Sequence, residues 1–212
     1  MTSDKARTER IQGVYASRDY DELTDKYNDW APQYDADLKA LGFLGPRAGA
    51  EMLAKFMANK EAKLLDAGAG TGMVGEELAN LGYKRITALD LSPGMLMTAN
   101  DKFVYEELLV GELGKPLGFE TDQFDGTTCI GTLTIGHAPP ESLDELVRVT
   151  KPGGVVVFTM RTDHYTEGGF EAKQSALEAA GKWKLAEKSE PFVPMPHGEP
   201  DIWYEVWAYE VL

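Results

Sequence analysis

The run Leu64-Leu65-Asp66-Ala67-Gly68-Ala69-Gly70-Thr71-Gly72 reads as a short apolar strand that ends in a carboxylate and passes at once into a glycine turn opening a helix. Glycine at every second position lets the backbone approach a ligand without side chains in the way. Asp66 sets an acceptor at the strand's end, where an ammonium group or a hydroxyl could sit. Outward from this run, strands and helices alternate. Strands are expected at 63–66, 85–90, 104–110, 124–131 and 155–160, with helices at 73–81, 93–100 and 141–150 between them. The helix at 93–100 is entered through Ser92 as N-cap with Pro93 in its first position. A helix at 170–180 precedes strands near 183–190 and 202–212. Such alternation specifies helices on both faces of a mostly parallel sheet. The last two strands are joined only by a loop carrying Pro191, Pro194, Pro196 and Pro200, so they read as an antiparallel hairpin at the sheet edge. The expected fold class is α/β: a doubly wound, mostly parallel seven-stranded sheet with a C-terminal antiparallel hairpin and an N-terminal helical lid.

Residues 1–18 show no apolar period and read as a flexible arm, mobile or loosely helical, and residues 19–212 as a single domain. Residues 19–45 form the lid. In it Leu23, Tyr27, Trp30, Tyr34, Leu38 and Leu41 recur at helical spacing, which makes one face aromatic and apolar. Pro32 predicts two helices or a kink near Ala31. A further amphipathic helix is expected at 46–57, with Pro46 in its first turn.

The chain has 212 residues, enough for one α/β domain with a full core. Its net charge is −14, and its Lys and Arg are scattered. A polyanion-binding surface needs clustered cations, so nucleic acid and anionic membranes are poor partners. No window approaches the ~18 apolar residues of a membrane span, and residues 1–7 lack an apolar signal core. The lone Cys129 cannot form an internal disulfide. These features lead to the expectation of a cytoplasmic protein, monomer or homodimer, acting on a small molecule.

Ligands of open α/β sheets bind over the carboxyl ends of the strands at the switch point. That rule brings residues 66–72, Asp90, Gly111-Glu112 and residues 130–133 around one crevice, since each follows an expected strand. His137 follows the fourth strand and reads either as a general base near the reacting group or as a surface-loop histidine. Arg161, His164 and Tyr165 follow the fifth strand and could line a substrate site. Three histidines and one cysteine, all far apart, give no metal-ligand spacing. No G-x-S-x-G elbow supports acyl hydrolysis.

Four stretches, LLDAGAGTG (64–72), ALDLSPGML (88–96), FDGTTCIGTL (124–133) and VTKPGGVVVFTMR (149–161), occur in the order and at the spacing of a class I S-adenosylmethionine (SAM) dependent methyltransferase, which this chain resembles. YNDWAPQYDADL (27–38), together with SPGML and RVTKPGGVVVFTMRT, is also similar to the Williams–Beuren syndrome region methyltransferase-like proteins. The resemblance implies SAM as cofactor and transfer of its methyl group by direct displacement, in which alignment supplies much of the effect. It implies that Asp66, Ala67, Gly68, Gly70, Gly72 and Met73 form the loop at the methionyl end. Asp90 would accept from the ribose hydroxyls, with Leu91 and Met95 flanking the adenine. Gly111, Glu112 and Leu113 would meet the adenine edge, although the family more often has Asp where this chain has Glu112. Ile130 and Gly131 would close the crevice, and Tyr27 or Tyr34 on the lid would touch the methionyl carboxylate or the sulfonium.

Rival readings remain at this stage. A non-catalytic SAM-binding module would carry the same loop. Gly70-Thr71-Gly72-Met73-Val74-Gly75 also fits the G-x-G-x-x-G dinucleotide fingerprint of an NAD-dependent oxidoreductase, with Asp90 as its ribose acid. That pattern wants its first glycine directly after the strand, facing a pyrophosphate. Here Asp66 intervenes, and its charge suits a sulfonium and an ammonium better than a phosphate.

Overall fold

The computed structural model describes residues 3–212. Seven strands form one sheet in the order β3-β2-β1-β4-β5-β7-β6. They are β1 (Lys63–Ala67), β2 (Arg85–Asp90), β3 (Glu107–Val110), β4 (Phe124–Cys129), β5 (Thr150–Arg161), β6 (Trp183–Lys188) and β7 (Tyr204–Val211). β1 runs parallel to both β2 and β4, with Asp66 level with Ala88 on one side and Thr128 on the other. β7 lies antiparallel to β5 and to β6. The chain order reverses between β1 and β4, so the end of β1 is the topological switch point where open α/β sheets hold ligands.

The central strands are apolar on both faces. Leu64, Leu65, Asp66 and Ala67 are all buried, as suits a parallel strand covered by helices on either side. Successive side chains point oppositely. Leu65 therefore joins a core with Leu143 and Leu146 of α6 (Ser142–Val149) and Phe170 and Leu177 of α7 (Phe170–Ala179). Leu64 joins the opposite core, with Leu53 of α3 (Gly45–Phe56) and Val74 and Leu78 of α4 (Met73–Asn80). α5 (Pro93–Asn100) covers β2 and is capped by the Ser92 hydroxyl, which accepts from the Met95 N–H.

The N-terminal helices depart from expectation in two ways. α2 (Tyr20–Leu41) runs unbroken through Pro32, so the expected split near Ala31 does not occur. Pro32 lies on the exposed side, while Trp30, Ala31, Asp37 and Leu38 hold the buried side on either side of it. Asp19 caps the first turn and Gly42, at φ +76°, closes the last. The flexible-arm reading is also corrected. α1 (Ser3–Tyr15) packs on α2 with Ile11 and Val14 buried, and Met1 and Thr2 lie outside the described residues. The anchor is a buried carboxylate on α2. Asp37 accepts from Trp30 Nε1 (2.9 Å), from Arg7 Nε (3.0 Å) and from the Arg10 guanidinium. Burial opposes its charge, but these donors hold its carboxyl below the usual range. Ile11, Val14 and Tyr15, all in the last turns of α1, make too short a period to read as a helix. Its docking depends on a charge partner 27 residues or more away.

Candidate functional site

The glycine loop crosses the end of β2 before α4 begins. Gly68 N–H and Ala69 N–H both donate to the Leu89 carbonyl, at 2.7 and 3.0 Å. Gly70 N–H donates to Asp90 Oδ2 at 2.7 Å, and Ser92 N–H to Asp90 Oδ1 at 2.8 Å. These donors fix the Asp90 carboxylate while leaving lone pairs on each oxygen. Burial raises its pKa, against the pull of the Ser92, Gly70 and Leu91 backbone N–H groups. The loop therefore offers no free nest of amides for a pyrophosphate, because the N–H groups of Gly68, Ala69 and Gly70 are already engaged. Gly70 sits at φ +55°, and a β-carbon built on it would meet nothing within 4 Å. That open space is the floor of a cleft.

The cleft has a volume of about 690 Å³ and extends from Gly68, Gly70 and Asp90 past Leu91, Met95, Gly111, Glu112 and Leu113 to Ile130, Gly131 and His137. α2 roofs it with Tyr20, Leu23, Tyr27 and Tyr34. The roof is latched to the sheet. Asn28 Oδ1 accepts from Ser92 Oγ and Gly94 N–H, both at 2.8 Å. Asp35 accepts from Thr71 Oγ1 and, at 2.7 Å, from Lys102 Nζ, which also pairs with Glu76.

Thirteen of the expected side chains or backbone positions thus meet in one place: Tyr27, Tyr34, Gly68, Gly70, Asp90, Leu91, Met95, Gly111, Glu112, Leu113, Ile130, Gly131 and His137. Four expected cofactor residues do not line the cleft. Asp66 is fully buried behind the loop and accepts from Tyr105 Oη (2.7 Å) and Thr128 Oγ1 (3.1 Å). Ala67 is buried in the core beneath it. Gly72 faces the Tyr105 ring, where a β-carbon would come within 2.9 Å, and Met73 packs with the α1–α2 cluster. Thr132, within the expected 130–133 stretch, lines the cleft too, and so do three residues that the sequence reading did not single out as ligands: Tyr20, Leu23 and Ala138. Tyr20 and Leu23 precede Tyr27 by seven and four positions, so the helical period itself marks their face.

Burial pushes the Asp66 carboxyl up to about 6, against the hydrogen bonds from Tyr105 and Thr128. Its folded pKa lies above the ~3.9 of an unfolded chain, so the unfolded state releases the proton first as pH rises. The contribution of this group is full below about pH 4, falls until about 6 and is flat beyond. Asp66→Asn is therefore expected to lessen the loss of stability between pH 4 and 7. Urea midpoints of the two proteins across that range check it, and parallel curves would mean that Asp66 titrates normally.

His137 is held at both ring nitrogens. Nδ1 lies 2.8 Å from the Ile135 carbonyl, which can only accept, so Nδ1 carries the proton. Nε2 is then the acceptor, and Tyr27 Oη donates to it at 2.7 Å. Burial lowers the pKa of His137, partly offset by the Ile135 carbonyl, and raises that of Tyr27 well above normal. The pair is thus a neutral phenol on a neutral imidazole, facing the cleft. The surface-loop alternative for His137 does not fit this geometry.

The expected substrate residues lie elsewhere. Arg161 is buried and bonded to Asp163 (2.9 and 2.6 Å), with its guanidinium over the Tyr15 ring at 5.3 Å. His164 meets Phe170 edge-on, and Tyr165 stacks on Trp207. None of the three lines the cleft.

Residues 65–158 match the family model described as a methyltransferase domain. The chain is 35% identical over 182 residues to human methyltransferase-like protein 27, covering 82% of this chain and 74% of that one. It is 32% identical over 151 residues to demethylmenaquinone methyltransferase of Renibacterium salmoninarum, covering 71% of this chain and 62% of that enzyme's length. Among solved structures, a TehB-like SAM-dependent methyltransferase from Corynebacterium glutamicum shares the fold at a TM-score of 0.63 and 23% identity, covering 87% of this chain and 98% of that one. With the β3-β2-β1-β4-β5-β7-β6 sheet and the glycine loop at its switch point, these likenesses lead to one conclusion: the chain belongs to the class I SAM-dependent methyltransferases.

Proposed function

We propose that the cleft binds SAM and that the protein transfers its methyl group to a small-molecule acceptor. The observation that carries this reading is the Asp90 carboxylate, fixed by the Gly70 and Ser92 N–H groups and opening on a cleft roofed by Tyr27 and Tyr34. Asp90 would hold the ribose hydroxyls, Leu91, Met95 and Leu113 the adenine faces, and Glu112 its amine. Tyr27 and Tyr34 place electron-rich rings near the other end, where a sulfonium gains from cation–π attraction. When bound, the cofactor supplies an electrophilic methyl group. The latched α2 keeps water from it, and His137 Nε2, through Tyr27 Oη, holds the proton that the acceptor gives up. A small acceptor agrees with the demethylmenaquinone enzyme among the relatives and with the acidic surface, which has no clustered cations for a polyanion.

S-adenosylhomocysteine at ten times its dissociation constant is expected to stabilise the fold by about 1.4 kcal/mol, a melting shift of roughly 3–6 °C for a chain of this size. NAD is expected to give none. Thermal melts with each of the two ligands check this, and a shift with NAD alone would overturn the SAM reading.

A further inference from the structure

A second chamber, about 450 Å³ counting the space open to solvent, adjoins the cleft and shares Tyr27, Tyr34, Ile130 and Gly131 with it. We propose that it is the methyl-acceptor site and that it takes an uncharged, flat, largely apolar molecule, a proposal that rests on the cleft being the SAM site. The chamber is walled by aromatic rings, those of Tyr15, Trp30, Phe43 and Tyr204 besides the two shared tyrosines, and by aliphatic side chains of α1 and α2. Among the described residues, no Asp, Glu, Lys or Arg side chain lines it. Two of the nearby charged groups are paired away from the wall. Trp30 turns its indole N–H away to Asp37, and Arg161, behind Tyr15, is bound to Asp163.

An anion would lose its hydration here with no partner in return and a cation would gain only from the ring faces, whereas a flat ring gains contact on both faces. The rings already meet one another at suitable angles, Trp30 edge-on to Tyr34 at 4.7 Å and Tyr27 stacked on Trp30 at 6.2 Å. Gly131 lines both cavities. At φ +75° its backbone turns there, and an added β-carbon would meet only the Phe43 ring, at 3.5 Å. Tyr27 stands at the junction with its hydroxyl on His137 Nε2, so a hydroxyl at the ligand's edge would meet the proton-accepting pair where the two cavities join. α1 supplies Ile11, Val14 and Tyr15 to the wall, which gives the N-terminal helix a role in acceptor binding.

The test is calorimetric titration of the S-adenosylhomocysteine-saturated protein with 2-naphthol and, separately, with choline. The expected result is saturable binding of 2-naphthol, weakened about tenfold or more by Val14→Phe, which fills the chamber, and little changed by Val14→Ala. Met195→Phe, on a separate segment of the wall, gives the same loss should Val14→Phe misfold. S-adenosylhomocysteine affinity serves as the folding control and is expected to stay unchanged in each variant, since neither Val14 nor Met195 lines the cleft. Normal S-adenosylhomocysteine binding without naphthol binding, or with naphthol binding untouched by both filling variants, would overturn the chamber as acceptor site. Binding of choline in preference to naphthol would overturn the uncharged class. Failure of the wild-type protein to bind S-adenosylhomocysteine would instead overturn the cofactor reading beneath it.

Discussion

His137→Ala is expected to lower methyl-transfer turnover by about 10²–10⁴-fold, the range for loss of a general base, while S-adenosylhomocysteine affinity stays within about twofold of wild type. The magnitude follows from how completely the ring is committed. Its Nδ1–H is held by the Ile135 carbonyl and its Nε2 takes the Tyr27 hydroxyl, so one tautomer is fixed and the basic nitrogen is reached through Tyr27 Oη. An ordinary imidazole titrates at ~6.5; burial lowers this one. The neutral, proton-accepting form therefore persists to more acidic pH, and the wild-type rate should fall only below ~6.5, as the imidazole protonates. Steady-state turnover from pH 5 to 8 on wild type and mutant checks both features. Near-normal mutant turnover with a flat profile would reduce His137 to a packing partner for Tyr27.

The sheet, its hairpin and most of the cleft were legible in the sequence because they depend on local signals. Leu64-Leu65 running into a glycine turn, Ser92-Pro93 opening a helix, and Val155 to Met160 without a polar side chain except Thr159 each specify an element by composition and period. The strand-end rule then gathers Asp90, Gly111, Glu112, Ile130 and Gly131 without knowledge of distant contacts. The misreadings concern side chains whose fate is set far along the chain. Asp66 sits at a strand end as a ligand would require, yet Tyr105, 39 residues on, claims its carboxylate. Arg161 follows β5 but is bound to its neighbour Asp163 and covered by the distant Tyr15 ring of α1. α1 carries too few apolar residues to show a period, and its docking rests on Asp37 in another helix. The Tyr27–His137 bond joins residues 110 apart, so the sequence could point to each residue and not to the pair.

The two carboxylates that the sequence places alike are expected to separate on mutation. Asp90→Ala should weaken SAM and S-adenosylhomocysteine binding by about 1.5–3 kcal/mol, the range for hydrogen bonds to a charged group, which is roughly 10–100-fold in dissociation constant. Asp90 lines the cleft and keeps lone pairs for the ribose after accepting from Gly70 and Ser92. Removing it also strands those two N–H groups, which loosens the glycine loop in the direction of weaker binding. Asp66→Ala removes a carboxyl that has no surface in the cleft and leaves the Tyr105 and Thr128 hydroxyls without their acceptor. Its cost should therefore fall on folding, as a lowered melting temperature, with affinity changed far less than in Asp90→Ala. Calorimetry and thermal melts on both variants distinguish the roles. Equal affinity losses would place Asp66 at the ligand after all, and an unchanged affinity in Asp90→Ala would place the cofactor outside this cleft.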